Sequence, residues 1–217
     1  MDIKVRGTLG FTSLNNPVKP FTVKTKNDVI TFKEIDYNKK VSNSFLQNMA
    51  SFFLDNFANQ SAHPFWKFCR KDTPTFNKKI YNSFVKDNMV PEYKKIIKNP
   101  DTTVLMGKNS KDELCAGIVS TPLNITDKVK NDKTLYIDSL AVDKEYRNNH
   151  VAQKLVDSVI DSSKGRYDDT FLVAYNESVP FYEKQGFSDI KDKEFITNLA
   201  EERIDYPRYA SFLSKKL

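Results

Sequence analysis

The spacing of hydrophobic residues in the first half of the chain is that of amphipathic helices. Apolar residues recur every three or four positions, which predicts one helix at about 41–56 and a second through about 76–85. Pro91 suits a first helical turn, so a third, short helix is predicted from there to just before Pro100. The segment 59–74 is polar, aromatic and rich in turn-forming residues, and it is predicted to be a loop.

Runs of β-branched and apolar residues predict the strands. Residues 29–35 alternate between apolar and polar, as in a half-buried strand. The runs 102–106 and 113–121 are separated by the turn-forming sequence GKNSKD and predict a β-hairpin. Further strands are predicted at 134–142, 170–175 and 209–217.

Two more helices are predicted between these strands. One is amphipathic at 151–160 with Gly165 as its C-terminal cap, and a short one begins at Pro180. Strands that alternate with helices, with a hairpin at the front, predict an α/β (α+β) fold in which helices cover both faces of a mixed sheet. Residues 1–28 show little periodicity and are interpreted as an arm or loose hairpin ahead of one domain at 29–217.

The composition is that of a folded protein of a reducing compartment. Of its 217 residues, 39% are hydrophobic, with no apolar secretory signal and no uninterrupted apolar run, so a cytoplasmic protein without membrane association is predicted. Cys69 and Cys115 are predicted to be free thiols, and two histidines without metal-ligand spacing predict no metal site. The net charge of +6 is spread along the chain, which favours a solvated surface over a nucleic-acid site without deciding between them.

The segment 135–155 joins a predicted strand to a predicted helix through a short polar loop. A helix start of this kind binds phosphate through its free N–H groups and its dipole, and Arg147 just before it would add a fork of donors to a pyrophosphate. A strand, a loop and a helix with one arginine are common, so ordinary helix capping is the more frequent explanation of these features taken alone.

From Leu140 onward this segment resembles the acyl-CoA-binding motif of the GCN5-related N-acetyltransferase (GNAT) family. In that family a strand ending in Val leads through a polar loop to Arg or Gln and then x-x-Gly-x-Gly/Ala, which here reads R-N-N-H-V-A. The resemblance implies a mostly antiparallel central sheet, N-acetyltransferase activity and acetyl-CoA as cofactor. The cofactor contacts that it implies are Leu140, Ala141, Val142, Arg147, Asn148, Asn149, His150, Val151 and Ala152.

His150 departs from the motif, because it stands in place of the first glycine. Glycine lets the backbone approach the pyrophosphate closely, and a Cβ at this position could obstruct it. The imidazole could instead donate to phosphate or lie unused on the surface. The sequence leaves the effect of His150 on CoA affinity open.

A second stretch, AYNESVPFYEKQGF at 174–187, follows at the spacing of the family and implies two further cofactor contacts, Asn176 and Tyr182. The resemblance places Tyr182 beside the CoA sulfur as general acid, a role that a phenol with a pKa near 10 can fill at pH 7. It also implies a strand bulge that exposes backbone amides around 140–142. Together the motifs place the acetyl-CoA-binding core at 134–187 and a helical acceptor side at 36–100.

Transfer to an amine also needs a proton acceptor. An ammonium with a pKa of about 10.4 is neutral in only about one molecule in 2,500 at pH 7, a handicap of roughly 4 to 5 kcal/mol. Asp138, four residues before Val142, is the candidate general base, and a solvated or capping role is its equal alternative. Glu177 and Asp143 are weaker candidates.

The sequence does not determine the acceptor. Aromatic residues of the acceptor side could line a pocket for an amine or pack the helices on the sheet, and packing is favoured. These residues are Phe65, Trp66, Phe68, Phe76 and Tyr81. Three functions stay open: N-acetylation of a small-molecule primary amine, N-acetylation of a protein amine or aminoacyl-tRNA, and non-catalytic binding of acyl-CoA. A homodimer is compatible with each of them.

Overall fold

One eight-stranded sheet runs through the part of the chain that the computed structural model describes, residues 17–26, 28–36, 41–60, 64–126, 129–202 and 210–217. The strands are β1 (Phe21–Lys24), β2 (Val29–Glu34), β3 (Thr103–Lys108), β4 (Leu114–Thr126), β5 (Val129–Val142), β6 (Asp169–Tyr175), β7 (Ser188–Asp189) and β8 (Ala210–Lys216). Their spatial order is β1-β2-β3-β4-β5-β6-β8-β7, and only the β5–β6 pair is parallel. The predicted mixed, mostly antiparallel sheet is confirmed.

The helices of the described residues are α1 (Asn43–Gln60), α2 (Lys78–Phe84), α3 (Val90–Ile96), α4 (Val151–Ser163), α5 (Val179–Lys184) and α6 (Lys193–Glu202). Helix α4 is the crossover that the parallel β5–β6 pair requires. It ends as predicted, because Gly165 follows it with a φ of 78°, in the left-handed region that favours glycine.

Alternate residues of the central strands enter two different cores, since successive side chains of a strand point to opposite faces. On β3, Leu105 belongs to the core under α4, whereas Val104 belongs to the core under α1 and α3. Ile118 and Val119 of β4 divide in the same way. Helices therefore cover both faces of the sheet, as predicted.

Several elements differ from the predicted ones. Helix α1 continues to Gln60, and the predicted loop after it contains a 3-10 turn at Pro64–Phe68. The predicted hairpin is that of β3 and β4, but β4 and β5 also form a hairpin that was not predicted, and both strands extend into it beyond their apolar runs, as at Asn124 opposite Lys130. Strand β7 and helix α6 were not predicted, since both are short and mostly polar.

A π turn joins two helices that the sequence predicts as separate. Residues Val85–Met89 form this turn between α2 and α3, and the N–H of Val90 bonds the carbonyl of Val85. Pro91 has no N–H to continue an α-helical ladder, and the wider turn just before it accommodates that loss. The helical run from α2 through α3 is therefore continuous.

Other expectations concern single residues and segments. Both cysteines are free, as predicted, and both are buried. Residues 1–16 of the predicted arm lie outside the described residues, while its end carries β1, which pairs with β2. No helix within the described ranges is long and apolar enough to cross a membrane.

Candidate active site

Strand β5 parts from β6 part-way along its length. The two strands pair only where 134–137 of β5 lie opposite 169–172 of β6. Beyond that point β5 continues to pair with β4, while β6 pairs on its other side with β8. An opening therefore lies between the carboxyl ends of two parallel strands, the edge at which α/β sheets bind ligands.

A β-bulge marks the start of this opening. Ile137 and Ser139 of β5 pair with adjacent residues of β4, so Asp138 is the extra residue between them. Bulges bend a strand and re-aim side chains, and they are common next to active sites. The bulge that the family resemblance implies is thus present, and it lies at the candidate base Asp138.

After the bulge, successive N–H groups of β5 point alternately toward β4 and toward the opening. Asp143 donates its N–H to the carbonyl oxygen of Cys115 on β4 (2.9 Å), and in an antiparallel ladder every second residue bonds the same neighbour. Ala141 therefore bonds β4, and the N–H groups of Leu140 and Val142 point into the opening. Of these three predicted contacts, two offer backbone donors to a ligand and Ala141 is committed to the sheet.

The loop before α4 contains two residues in the left-handed conformation, Asn148 (φ 62°) and His150 (φ 58°). His150 occupies the position of the family glycine, which reaches this region without the steric cost that a Cβ imposes. Its side chain does not cap α4, and its Nδ1 lies 3.2 Å from Oε1 of Gln153. The first-turn amides at Val151 and Ala152 therefore have no cap from this residue.

Asn149 braces the same loop. Its Nδ2 donates to the carbonyl oxygens of Tyr146 (3.3 Å) and Arg147 (2.9 Å). Its Oδ1 accepts from the N–H of Lys26 (3.1 Å), which ties the loop to the turn between β1 and β2. The Asn149 side chain, a predicted cofactor contact, is thus engaged within the protein.

The guanidinium of Arg147 is held against the end of β5 and against α1. Its Nε donates to the carbonyl oxygen of Val142 (2.9 Å) and its Nη2 to Oδ1 of Asn56 (3.1 Å). Burial lowers the pKa of Arg147, and the charge of Asp143 opposes that shift. Arg147, which was predicted to bind pyrophosphate, therefore uses two of its N–H donors to hold the loop before α4 in place.

Sequence reasoning missed Asn56, which is 5% exposed on the buried side of α1. Its Nδ2 donates to the carbonyl oxygen of Phe52 (3.1 Å) and to Oδ1 of Asp143 (2.8 Å). With the bond from Arg147, its whole amide group is engaged. A buried amide must find partners, so an asparagine within the apolar stripe of α1 was the signal that could have found it.

A Schellman cap holds Tyr182 near the end of α5. Gly186 has a φ of 84°, and its N–H bonds the carbonyl of Glu183. The N–H of Phe187 bonds the carbonyl of Tyr182 (3.1 Å), and the two rings lie with centroids 5.7 Å apart. The Gly-Phe pair of the motif therefore fixes the position of the tyrosine.

The Tyr182 side chain is 8% exposed, and burial raises the pKa of its phenol. Within the described residues its hydroxyl has no hydrogen-bond partner. The phenol therefore stays protonated at neutral pH, and its donor is available to a ligand.

The Asp138 carboxylate belongs to a short hydrogen-bonded chain. Its Oδ2 accepts from Oγ of Ser139 (2.8 Å), which lies 3.1 Å from the hydroxyl of Tyr93 on α3. Asp138 is half-buried and Tyr93 is buried. These bonds orient the carboxylate and connect it to the helical side of the molecule.

The opening leads into a cavity of about 740 Å³, and Asp138 and Tyr182 both line it. The sheet contributes residues 136–140 and 173–175. The helical region contributes Phe57, Trp66, Phe84, Asp87, Asn88, Met89, Pro91, Glu92 and Tyr93. Two residues that lie far apart in the sequence, the candidate base and the candidate acid, thus meet at one site.

Comparison with known proteins decides the family. The acetyltransferase (GNAT) domain family matches residues 72–199, more than half of the chain. This chain belongs to the GNAT family. No curated protein matches its sequence significantly.

Solved GNAT-like structures share the fold at low sequence identity. An acetyltransferase of the GNAT family from Staphylococcus aureus Mu50 is 18% identical with a TM-score of 0.53, over 86% of this chain and 99% of that one. The PaiA N-acetyltransferase of Thermoplasma acidophilum, solved with coenzyme A, is 12% identical with a TM-score of 0.53, over 86% and 99%. An acetyltransferase from Thermus thermophilus is 9% identical with a TM-score of 0.53, over 91% and 100%.

Membership of the GNAT family makes acetyl-CoA the cofactor of this chain, and the residues present fit it. The free N–H groups of Leu140 and Val142 offer an extended pantetheine arm the edge of a strand. The first turn of α4 offers amides to the pyrophosphate. These candidate contacts are chiefly backbone groups.

Three sequence candidates lie away from the cavity lining. Asn176 and Glu177 are exposed in a 3-10 turn after β6. Asp143 bonds Asn56 in a separate cleft, where burial raises the pKa of its carboxyl and the bond from Asn56 opposes the shift. Among the candidate bases, only Asp138 shares the cavity with Tyr182.

Four of the five aromatic residues named from the sequence pack in the core under α1, in agreement with the favoured interpretation: Phe65, Trp66, Phe76 and Tyr81. Of these, Trp66 also lines the cavity. Phe68 belongs to neither, and the Lys67 ammonium lies over its ring. The sequence did not indicate Phe84, which lies edge to face with Trp66 at 5.6 Å. Nor did it indicate the acidic residues of the same wall, because their meeting depends on how α1, the π turn and α3 pack.

Proposed function

We propose that this chain transfers the acetyl group of acetyl-CoA to the primary amine of a small molecule by direct attack, with Tyr182 as general acid and Asp138 as general base. The observation that carries the proposal is that an unpartnered, buried phenol and a half-buried carboxylate line one cavity where β5 and β6 part. The cavity volume of about 740 Å³ lies within the range of small-molecule sites, which supports a small acceptor.

Acetyl-CoA, when bound, supplies an activated acetyl thioester, whose C–S bond breaks as the new C–N bond forms. The amine nitrogen must lose a proton for this attack. The Asp138 carboxylate accepts that proton directly or through one water, and the bond from Ser139 holds it in orientation.

Tyr182 supplies the proton that the departing sulfur requires. Because burial raises the pKa of this phenol, it keeps its proton at neutral pH and donates a hydrogen bond to the sulfur as negative charge develops there. A thiolate is a weaker base than the buried phenolate, so the phenolic proton passes to sulfur only as solvent returns to Tyr182 the proton that Asp138 took from the amine. The thiol and the protonated phenol are then both restored, and the protons balance.

The N–H groups of Leu140 and Val142 orient the acyl arm along β5. Since these donors are backbone groups of a paired strand, they are fixed before the ligand arrives. The bracing of the following loop by Arg147 and Asn149 serves the same end.

The test is release of the CoA thiol with a panel of amines, for the parent protein, Tyr182→Phe and Asp138→Asn. Tyr182→Phe should lower kcat by about a hundredfold, with CoA affinity by calorimetry unchanged within about twofold. Tyr167→Phe is the matched control, since Tyr167 is also buried, with no partner for its hydroxyl among the residues that the structure describes, and lies outside the cavity lining. Asp138→Asn should remove the part of the pH profile in which the rate rises with pH.

The other outcomes separate the remaining functions. CoA binding without turnover on any amine would leave a non-catalytic acyl-CoA-binding protein. Turnover only with peptides or aminoacyl-tRNA would replace the small amine by a macromolecular acceptor. An unchanged rate in Tyr182→Phe would remove this residue from the mechanism. The cytoplasmic location expected from the sequence stays a prediction.

A further inference from the structure

The cavity wall carries charge of one sign. Asp87, Glu92 and Asp138 line the cavity, and none of its described lining residues is Lys, Arg or His. The chain as a whole has the opposite balance, with 34 Lys and Arg against 28 Asp and Glu. A lining of negative charge attracts a cationic occupant and repels a phosphate-rich one.

The three carboxylates differ in exposure. Asp87 and Glu92 are exposed on the helical side, whereas Asp138 is half-buried in β5. Within the described residues Glu92 has no hydrogen bond or ion pair, and Asp87 accepts a single bond, from Oγ of Ser83 (2.8 Å). The exposed pair therefore keeps its charge available to a ligand, while the inner carboxylate serves the reaction.

Tyr93 connects the inner and outer carboxylates. It follows Glu92 on α3, and its hydroxyl reaches the Ser139 side chain that bonds Asp138. Burial and then the charges of Asp138 and Glu92 raise the pKa of Tyr93. Both negative charges thus act on the same small volume, which one elongated ligand can span.

The rest of the helical wall suits an alkyl chain. Trp66 and Phe84 meet edge to face at 5.6 Å, and Phe57 and Met89 lie on the same wall. Such surfaces pack methylene groups, and aromatic faces also attract ammonium groups. Independently of the carboxylates, the unpartnered hydroxyl of Tyr182, a residue 8% exposed, indicates that a polar ligand completes this cavity.

We propose that the acceptor is a primary amine with a second positive charge, an α,ω-diamine or a polyamine. Its reacting amine lies at Asp138 and Tyr182. Its distal ammonium is bound by Asp87 and Glu92, and its methylene chain packs on the aromatic wall. The inference rests on the proposed N-acetyltransferase function and adds the chemical class of the acceptor.

The test compares 1,5-diaminopentane with 1-aminohexane, which differ only in that a methyl group replaces the distal ammonium. With the purified full chain and saturating acetyl-CoA, kcat/KM is measured by release of the CoA thiol. The kcat/KM for the diamine should be about tenfold higher, because two exposed carboxylates attract its second ammonium group. The preference should shrink as salt is added, because exposed charges are screened.

The double variant Asp87→Asn with Glu92→Gln removes the outer charges. It should raise the KM for the diamine about tenfold, with kcat retained and with the kinetics of 1-aminohexane unchanged. The matched control is Asp189→Asn with Glu194→Gln, which makes the same change of charge at exposed residues outside the cavity lining. The control should leave the preference intact.

Equal kcat/KM for the two amines, or a preference that persists in the Asp87→Asn, Glu92→Gln variant, would overturn the inference and leave N-acetyltransferase activity standing. If no amine is acetylated, the proposed function fails, and calorimetry of 1,5-diaminopentane with the CoA-loaded protein decides the inference. Binding that the double variant loses supports the outer ammonium site, and no binding in the parent protein overturns it.

Discussion

Replacement of Asn56 by leucine tests how the acceptor-side helix α1 supports the CoA-binding loop. Leucine keeps the branched shape of the side chain and removes all of its hydrogen bonds. Those bonds join Asn56 to the Phe52 carbonyl (3.1 Å), to the Asp143 carboxylate (2.8 Å) and to the Arg147 guanidinium (3.1 Å). The variant therefore detaches α1 from the loop without truncating the helix.

The loss of stability follows from the kind of bond removed. A neutral hydrogen bond contributes about 1 kcal/mol net, and a bond to an ionised group about 1.5–3 kcal/mol. Asp143 and Arg147 are half-buried, so water and their mutual attraction restore part of the loss. We expect Asn56→Leu to lower the free energy of unfolding by about 2–4 kcal/mol, a fall in Tm of roughly 4–16 °C for a chain of this size.

The functional consequence is specific to the cofactor. Arg147 spans Asn56 and the Val142 carbonyl, so a freed guanidinium loosens the loop that carries the α4 amides. We expect the Kd for CoA, measured by calorimetry, to rise about tenfold. The KM for the amine should change little. Asn77→Ala is the control, because it removes the N-cap of α2 at a cost of about 1 kcal/mol but touches no loop residue.

An Asn56→Leu protein that is less stable but binds CoA with unchanged affinity would refute this reasoning. Arg147→Ala, which should weaken CoA binding selectively, provides the complementary test. If the two residues act as one brace, the double variant should lose less affinity than the two single variants combined, because contacting residues are not additive.

Three further predictions concern local geometry. His150→Gly should raise the free energy of unfolding by about 0–1 kcal/mol, because removing the strain of a left-handed histidine outweighs the greater freedom of glycine in the unfolded chain. Its affinity for CoA should stay the same or improve. A severalfold loss of affinity would instead show that the imidazole binds phosphate. Gly107→Ala should lower the free energy of unfolding by about 1–3 kcal/mol because its Cβ would overlap the Phe32 ring. Gly117→Ala meets the flexible end of Met106 at 2.7 Å and should cost less, and urea unfolding of both variants checks the difference. Burial raises the pKa of the Asp143 carboxyl in the folded protein above its ordinary value of 3.8. The protonated carboxyl therefore stabilises the fold at a pH below the pKa of the unfolded state, and this stabilisation is lost as the pH rises through the pKa of the folded state. Asp143→Asn should remove this pH dependence from the free energy of unfolding measured in urea.

Local pattern in the sequence was enough for the elements that bury one regular face. Helix α4 could be predicted because its apolar residues repeat with the period of a helix turn, whatever packs against them. The end of α4 at Gly165 could be predicted because a left-handed residue after a helix favours glycine. Tyr182 was identified by its place in the family motif, and the structure adds that the Gly-Phe pair of that motif caps the helix that carries it.

Only the tertiary structure showed where the bulge of β5 lies and that Asn56 bonds Arg147. An extra residue in a strand is defined relative to its neighbour, so nothing in β5 alone marks Asp138 as the bulged residue. Asn56 and Arg147 are separated by 91 positions and meet because α1 packs against the end of β5. The pairing that the loop depends on is therefore absent from any local window of sequence.

The cavity shows the same division between sequence and structure. The motifs identified the cofactor side because backbone donors at a strand end and a helix start follow from the order of elements. The acceptor wall is built by residues that range from Phe57 to Ala210, and its uniform negative charge exists only once α1, the π turn, α3 and the sheet enclose one volume. Charge and shape at a cavity depend on distances between side chains, and packing alone sets those distances.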